Sequence, residues 1–498
     1  MNFSDYSPPS PSPTLQRVFA WLAARPPDDR VRDLAPIKHH LGEAGKASLP
    51  PAQCLKVLEL FQTRIDAASD ALKPRLIEAR LPLPGPLRRI AQGLTDVHGL
   101  MATTLLRSIH QSTPGPDQPS ASDTNALCKV ILHNLSEQQQ VALLVATAPP
   151  VGLWIQAQLV FRLLGASPKD AIEPAAIPIL KGMLALAAVQ PETLTARENA
   201  ILAGYLPKLT STVEIITKQP SRPEDWFWLE EHRDLPPVAM VRKAVPVHGT
   251  MLYFSCAKLA HVAAQHLRRL DNGELPTTLN LPGPASLPEV RDVLARAQSR
   301  WRSPPRRQAP RHPSQARVQI CARLDRLWSV LQDQRPNAGI EDLSPITDWL
   351  VLNESSSGYA MMHVSGPIDD LVAGDILGVR TSPDRPWNIC LLRWGRSDNP
   401  AHVEIGLELI SPSALPVQLA HHATADSALA PSLLLARPPG GEGDEALFVE
   451  RGQLVGNRFT LIGEDEGKLR LAQCEVQRLA LQTARVEMFT FKRDYSPC

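Results

Sequence analysis

The stretch that decides the fold of the C-terminal half is Trp349-Leu-Val-Leu-Asn-Glu-Ser-Ser-Ser-Gly-Tyr-Ala-Met-Met-His-Val364. It contains two β-prone runs separated by the polar turn Asn353-Glu-Ser-Ser-Ser-Gly358. Asn tolerates unusual backbone angles, Ser bonds the local backbone or an anion, and Gly permits positive φ. The pattern predicts two strands joined by a hairpin turn.

Further β-prone runs follow, and in Val403-Glu-Ile-Gly-Leu-Glu-Leu409 apolar and other residues alternate strictly. Strict alternation predicts a half-buried strand with one wet face. Five runs in one region predict a small barrel or sandwich: 349–352, 359–364, 376–380, 387–394 and 402–410. A β-like tail continues after them and either extends this barrel or forms a second one: 447–450, 458–462, 468–476 and 486–492.

The N-terminal half has apolar residues at spacings of three and four, which predicts amphipathic helices. We predict helix starts at Asn134 and Thr195, because a carboxylate follows three residues later, at Glu137 and Glu198. The region is therefore expected to be mainly helical, as one bundle or two. Two apolar stripes carry this prediction: Leu55, Leu58, Phe61, Ile65, Ala68 and Leu72, and then Leu87, Ile90, Leu94, Val97, Met101 and Leu105.

Clusters among the 48 prolines mark candidate domain boundaries. We predict a disordered Pro/Ser-rich tail at residues 1–13 and a helical domain at 14–275. A Pro/Arg-rich linker is predicted at 276–305, a β-barrel at 306–415 and a β-rich C-terminal extension at 430–498. A chain of 498 residues has ample length for several such domains.

The charge balance is neutral, with 52 Lys plus Arg against 51 Asp plus Glu, which argues against a protein that binds nucleic acid through bulk charge. The seven scattered cysteines, the unremarkable start and the absence of a 20-residue apolar run predict a cytoplasmic protein without membrane insertion. No metal site is predicted, since the adjacent His pairs lack ligand partners at metal spacing. Phosphate-cradling and nucleophile-elbow motifs are missing as well, so we expect no enzyme, no catalytic residue and no cofactor.

An Arg-rich segment without any Asp or Glu precedes the β-prone region. A guanidinium group suits phosphate oxygens and the O6/N7 edge of guanine, and its flat face stacks on bases. The alternative interpretation is a solvated, flexible linker. The segment contains six arginines in eighteen residues: Arg300, Arg302, Arg306, Arg307, Arg311 and Arg317.

Taken together, Arg307-Gln-Ala-Pro-Arg311 and Asn353-Glu-Ser-Ser-Ser-Gly358 resemble the paired signature of the PilZ family, R-x-x-x-R followed by D/N-x-S-x-x-G in a six-stranded barrel. Cys390-Leu-Leu-Arg-Trp394 resembles the family's V-x-W strand, and Ile405-Gly-Leu-Glu-Leu409 resembles its closing G-x-x-F strand. Leu371-Val-Ala-Gly-Asp-Ile376 looks like the start of another family strand. The resemblance extends from Arg306 to about Leu415.

Together, the periodicities and the resemblance predict a multidomain α+β protein with a mainly α-helical N-terminal region, a PilZ-like six-stranded antiparallel β-barrel and a β-rich C-terminal extension. The resemblance itself implies a bacterial receptor for the second messenger cyclic-di-GMP, and we expect this receptor to relay binding to the helical region and its unidentified protein partner. The implied ligand-site residues are Arg306, Arg307, Arg311, Asn353, Ser355 and Gly358.

By the same resemblance, Arg307 and Arg311 would reach guanine edges and phosphates from the flexible segment. Asn353 and Ser355 would bind a guanine or a phosphate from the barrel face, and Gly358 would shape the turn. The adjacent Arg306 is a weaker candidate for a stacking or phosphate contact.

Two other functions remain open at this point. The first is a PilZ-like adaptor that has lost nucleotide binding and contacts only proteins. The second is an RNA- or DNA-binding protein that uses the Arg-rich segment, for which affinity should fall steeply with salt because counterions are released. The neutral overall charge counts against the second function.

Overall fold

The computed structural model describes residues 13–46, 51–111, 121–165, 174–279, 281, 286–304, 309–333, 346–368, 370–399, 402–421, 429–436, 445–454, 456–465 and 468–494. It confirms a multidomain α+β protein with a helical N-terminal region followed by antiparallel barrels. The predicted tail at residues 1–13 lies almost wholly outside the described residues.

The N-terminal region is built from helices that share one continuous apolar core. Both predicted stripes are confirmed: Phe61 and Ile65 on α3, and Leu94 and Val97 on α4, are fully buried. The helices of this region are α1 (Pro13–Ala23), α2 (Val31–Lys46), α3 (Pro51–Leu72), α4 (Gly85–Gln111), α5 (Ala121–Leu144), α6 (Leu153–Gly165), α7 (Ile177–Ala188), α8 (Ala196–Tyr205), α9 (Ala257–Asp271) and α10 (Leu287–Arg302), with 3-10 turns at Lys73–Leu76, Pro191–Thr193, Leu206–Lys208, Thr210–Thr212 and Pro276–Leu279.

One of the two predicted helix starts is confirmed and the other is wrong. Thr195 caps α8 and forms a capping box with Glu198, as the sequence pattern predicts. Asn134, in contrast, lies inside α5. Its side chain contacts His98 Nδ1 at 2.7 Å and donates to Gln62 Oε1 at 2.6 Å, so tertiary partners use the polar groups that a cap would have used.

A small antiparallel sheet interrupts the helices, which the periodicity of the sequence does not predict. Its central strands are short runs of aromatic and aliphatic residues, which have no period that distinguishes a strand from a buried helix segment. Phe227 stacks on Phe254 with ring centroids 5.0 Å apart, and both rings join the helical core. The strand order is β1-β4-β2-β3, formed by β1 (Glu214–Ile216), β2 (Trp226–Glu230), β3 (Val238–Ala239) and β4 (Met251–Ser255).

The segment predicted as a linker, 276–305, differs from that expectation because it contains α10. Ser286 and Glu289 form a capping box at its start, and the next residues supply a proline in the first turn. Trp301 near its end is fully buried, and the indole Nε1 donates a hydrogen bond to the carbonyl of Ala185 at 2.9 Å. The helical unit therefore extends to residue 302.

The predicted six-stranded antiparallel barrel is present. Strands β6 to β11 close through a pairing between β7 and β8, and the two-residue strand β5 adds to the edge of β7. The core is formed by inward residues such as Trp349, Met361 and Ile405. The strands are β5 (His312–Pro313), β6 (Arg317–Ala322), β7 (Ile346–Ser355), β8 (Gly358–Ser365), β9 (Ile376–Arg380), β10 (Asn388–Asn399) and β11 (His402–Ser411).

The C-terminal strands form a second closed barrel of their own, in the order β12-β13-β14-β17-β16-β15. Its first strand begins at Ala414, inside the range 306–415 that we predict for the first barrel, and it pairs with β13 and β15. The strands are β12 (Ala414–His421), β13 (Ala430–Leu435), β14 (Glu445–Glu450), β15 (Arg458–Asp465), β16 (Lys468–Gln482) and β17 (Val486–Asp494).

A short helix, α11 (Leu324–Asp333), joins the two barrels through a shared apolar cluster. Leu327 is fully buried, and Trp328 donates from Nε1 to the carbonyl of Val417 on the second barrel at 2.7 Å. On the other side of the joint, the carboxylate of Asp375 contacts Arg485 at 3.0 Å. The two barrels therefore share a core.

Polar and backbone contacts connect the helical domain to the barrels. Leu81 and Leu371 exchange backbone hydrogen bonds of 3.1 and 2.8 Å, and Ser397 donates to the carbonyl of Ala146 at 3.2 Å. On the second barrel, Arg451 forms an ion pair with α10. Among the described residues, no helix is both long and apolar enough to span a bilayer.

We predict that Trp301→Ala detaches the end of α10 from the helical core. Replacing a buried Trp by Ala costs about 3–5 kcal/mol, because contacts are lost and a cavity remains. Urea unfolding followed by helical circular dichroism should show the first transition at a lower midpoint. The exposed neighbour provides the control, since Arg302→Ala should change stability by less than about 0.5 kcal/mol. Equal midpoints for both variants would contradict the packing described for Trp301.

Candidate ligand-binding site

The described end of the Arg-rich segment is attached to the hairpin turn by β-sheet pairing. In the β5–β7 ladder, His312 pairs with Glu354 and Pro313 pairs with Asn353. Proline is tolerated at this position because β5 is an edge strand. Continuing the antiparallel register brings the preceding residue, Arg311, level with Ser355. The structure thus brings together two motifs that are more than forty residues apart in the chain.

The arginines of the segment have different positions. Arg306 and Arg307 lie outside the described residues, and Arg311 is exposed beside the turn. Arg300, in contrast, is directed into the helical domain, where it donates to the carbonyls of Val189 and Gln190. Burial lowers the pKa of Arg300 to about 10. Arg300 therefore anchors α10 and is not part of the candidate site.

Asn353 has an acceptor without a partner. Its Oδ1 is buried and accepts no hydrogen bond from the described residues. A buried polar atom without a partner costs about 1–3 kcal/mol, so such atoms are rare away from sites where a ligand or water supplies the partner. Among the described residues, Asn353 Oδ1 therefore keeps its capacity to accept a hydrogen bond.

Ser355 has only long, local hydrogen bonds. Its hydroxyl lies 3.3 Å from Ser357 Oγ, accepts from the backbone N–H of Ser357 at 3.4 Å and reaches the carbonyl of Gly358 at 3.4 Å. Bonds of this length are at the outer limit of useful geometry. The hydroxyl can therefore turn toward an anion at small cost.

Gly358 is required by the close approach of the neighbouring strand. A Cβ atom at this position would lie 2.0 Å from the carbonyl oxygen of Leu407 and 3.1 Å from the Cα atom of Glu408. Only glycine permits β8 to approach β11 this closely. The last residue of the signature therefore sets the spacing on which the turn depends.

Arg393 is a cationic residue near the site that sequence reasoning missed. Its Nε lies 2.9 Å from the carboxylate of Glu408, which pairs with Gly358 across the β8–β11 ladder. The positive charge of Arg393 also contributes to the lowered pKa of Arg300, so it lies on the side of the barrel that approaches the end of α10. The sequence alone does not indicate that Arg393 lies near the site, because its position follows from the strand register.

Trp394 and Gly406 explain the two downstream motifs. Trp394 Nε1 would be 1.9 Å from a Cβ atom built on Gly406, so the indole lies directly against the glycine backbone. The tryptophan of one strand and the glycine of the next are therefore one packing unit, with Trp394 pairing with Gly406 across the β10–β11 ladder.

Comparison with known families identifies this barrel. Residues 329–416 match the model described as "Cyclic-di-GMP receptor FimW, middle PilZ domain". The chain contains a PilZ domain. The match includes the Asn353–Gly358 signature and begins after the Arg-rich segment. Residues 16–221, which include most of α1 and all of α2 to α8, match the model "Cyclic-di-GMP receptor FimW, N-terminal domain".

A curated relative agrees with these family matches over a short region. The chain is 30% identical over 69 residues to the cyclic-di-GMP receptor FimW of Pseudomonas aeruginosa. The aligned region covers 14% of this chain and 11% of the relative. This match therefore supports the family assignment, but the alignment covers only a small part of either protein.

A second polar constellation in the helical domain has the residue types of a hydrolase triad. Ser69 Oγ lies 2.7 Å from His98 Nε2, and His98 Nδ1 lies 2.7 Å from Asn134 Oδ1. Ser69 and His98 are 1% and 0% exposed, so a substrate has no access to either. Burial also lowers the pKa of His98. We interpret this group as a satisfied core network.

We predict that Gly358→Ala destabilises the PilZ domain by about 1–3 kcal/mol, because the added methyl group overlaps the Leu407 carbonyl and forces the strands apart. The midpoint of thermal unfolding should fall. The matched control is Ser356→Ala in the exposed part of the same turn, which should leave the midpoint nearly unchanged. A Gly358→Ala protein as stable as the control would show that the strands do not approach this closely.

Proposed function

We propose that the protein is a cyclic-di-GMP receptor, not an enzyme, which binds the dinucleotide between the Arg-rich segment and the β7–β8 turn of the PilZ domain. The observation that carries the proposal is the unpartnered Oδ1 of Asn353, located beside the strand into which Arg311 leads. The matches to N-terminal and PilZ models of a cyclic-di-GMP receptor support it independently.

The chemistry of the ligand fits these residues. Cyclic-di-GMP has two phosphates, which carry negative charge, and two guanines, each with O6 and N7 acceptors on one edge and N–H donors on another. Arg307 and Arg311 would bind phosphate oxygens or the O6/N7 edge through paired N–H groups. Asn353 Oδ1 would accept from a guanine N–H group, and Ser355 would donate to a phosphate. The adjacent Arg306 would stack on a base or contact a phosphate.

The relay to the helical domain would pass through the short segment between α10 and β5. One end of this segment is held by Trp301 in the helical core, and the other end pairs with β7. A ligand that contacts Arg307 and Arg311 would favour those arrangements of the segment that place both side chains on it. We propose that the helical domain transmits this change to a protein partner.

We expect the double substitution of Arg307 and Arg311 by Ala to abolish binding of cyclic-di-GMP. Each charge-assisted hydrogen bond contributes about 1.5–3 kcal/mol, so the loss of both arginines should weaken binding by at least two orders of magnitude. Isothermal titration calorimetry of the full chain measures the effect. Arg478→Ala in the second barrel removes one exposed positive charge and should leave the affinity unchanged.

The same titration separates the alternative functions. If the unchanged protein releases no heat with cyclic-di-GMP, it is an adaptor and the receptor proposal fails. If it prefers single-stranded RNA, with an affinity that falls steeply with salt and no preference for the cyclic dinucleotide, the Arg-rich segment binds nucleic acid instead.

Asn353 provides a second, independent prediction. Asn353→Asp keeps an acceptor oxygen and should retain measurable binding, whereas Asn353→Leu removes the acceptor and should weaken binding roughly tenfold or more. The barrel should remain folded in Asn353→Leu, because the buried unpartnered oxygen is removed at the same time. Calorimetry and thermal unfolding distinguish a lost contact from a lost fold. Equal affinities of the Leu variant and the unchanged protein would place the ligand elsewhere.

A further inference from the structure

A cavity of about 650 Å³ lies where the helical domain meets the PilZ domain. Its walls come from the ends of α5 and α7, the start of α6, strands β2 and β3, and the Trp394–Arg396 part of β10. Pro304, within the Arg-rich segment, is among the lining residues. Of the residues in the proposed nucleotide site that the structure describes, Arg311, Asn353, Ser355 and Gly358 do not line the cavity.

The surface of the cavity is predominantly apolar and includes three aromatic side chains. Trp154 and Phe227 line it from the helical domain, and Trp394 lines it from the PilZ domain. Prolines at 149, 150, 191, 236, 237 and 304 supply further rigid, flat surface. Ligand cavities typically have about this volume, are mostly apolar and are located between domains. Flat aromatic walls favour a planar ring system.

Two buried polar atoms in the wall have no partner among the described residues. Trp154 is 3% exposed and its Nε1 donates to no acceptor; Gln139 is 2% exposed and its Oε1 accepts from no donor. Asp234 Oδ1 accepts from the backbone N–H of Trp154 at 2.9 Å, and the amide of Gln139 donates to the carbonyl of Met183 at 3.2 Å. Two residues that line the cavity therefore each have one polar group without a partner among the described residues, a donor on Trp154 and an acceptor on Gln139.

The charged groups in the wall have charged neighbours. Arg396 forms an ion pair with Asp398 at 2.6 Å. Desolvation raises the pKa of the Glu192 carboxyl group, and the positive charges of Arg300 and Arg242 oppose that rise. The lining carries two acidic and two basic side chains, Glu192, Asp234, Arg242 and Arg396. A ligand of either charge would therefore meet like-charged groups, which favours an uncharged ligand.

We propose that this interdomain cavity binds an uncharged, planar heteroaromatic small molecule that accepts a hydrogen bond from Trp154 Nε1 and donates one to Gln139 Oε1. Such a ligand contacts both the helical domain and the PilZ domain, so its affinity depends on how the two domains pack. The cavity is a second ligand site of the protein, and binding there does not require the nucleotide.

The test uses 7-azaindole as the probe, because this small planar molecule has a ring N–H donor and a ring nitrogen acceptor. Ligand-observed NMR titration of the full chain, without nucleotide, should show saturable binding. Indole has the same shape and the donor but lacks the acceptor, and it should bind roughly tenfold more weakly. Trp154→Phe keeps an aromatic ring, removes the donor and should abolish this difference between the probes.

Two matched variants locate the binding. Ala148→Phe places a ring in the cavity from an exposed wall position and should weaken 7-azaindole binding at least tenfold. Val151→Phe adds the same ring three residues away, at a position that is 96% exposed and does not line the cavity, and should have no effect. Thermal unfolding and circular dichroism confirm that each variant is folded.

Several results would overturn the proposal. Absence of 7-azaindole binding to the folded protein up to the solubility limit is one, and equal binding to the Ala148→Phe and Val151→Phe variants is another. Equal affinities for indole and 7-azaindole would also overturn it, since the two polar atoms would then make no contribution. The double Arg307 and Arg311 variant should still bind the probe, so failure of the nucleotide proposal is distinguishable from failure of this one.

Discussion

The functional geometry depends on two ladder pairs, His312 with Glu354 and Pro313 with Asn353. They fix the end of the Arg-rich segment against the hairpin of the PilZ domain, although the two motifs are far apart in the chain. Trp301 fixes the opposite side in the helical core. The two anchors lie at the two ends of the stretch between α10 and β5, and the pairing with β7 holds its described end, at Arg311, beside the turn.

Helix α10 connects the helical domain to the second barrel. It packs in the helical domain through Trp301, and Arg296 on the same helix forms an ion pair with Glu198 of α8. Asp292, one turn earlier, forms an ion pair with Arg451 of the second barrel. Desolvation raises the pKa of Asp292 and the charge of Arg451 opposes that rise. The segment that leads to the PilZ domain therefore follows directly on a helix that the second barrel contacts.

The sequence predicts the barrel well because its evidence is local. Alternation over 403–409 and the turn chemistry of 353–358 need no knowledge of distant partners, and the β-rich barrel is confirmed. The capping box at Ser286 and Glu289 is an equally local signal. Recognising it would have predicted a helix, α10, within the segment predicted as a linker. Asn134 shows the limit of local rules, since the same side-chain groups that cap a helix are used here by His98 and Gln62 of other helices.

Features that depend on strand register or on the packing of distant segments could not be predicted from the sequence. The position of Arg393 beside the site follows from the pairing of β8, β10 and β11, and a shift of one residue would move it to the other face. Closure of the second barrel depends on the nonlocal pairing of β12 with β15. The interdomain cavity has walls from segments between residues 139 and 396, so no sequence window contains it.

The contacts between the domains differ in kind from those within them, which bears on how a signal could pass. Trp301 is held by full burial in an apolar core, and removing such a side chain costs about 3–5 kcal/mol. Across the interface, Arg80 and Asp370 form an ion pair whose side chains are 41% and 55% exposed, and exposed pairs contribute about 0–1 kcal/mol. The remaining ties include backbone hydrogen bonds at Leu81 and Ala146, and the Leu81 side chain is buried in the core of the PilZ domain. A ligand that contacts both sides would favour one packing of the domains over another only through a difference in its affinity for the two.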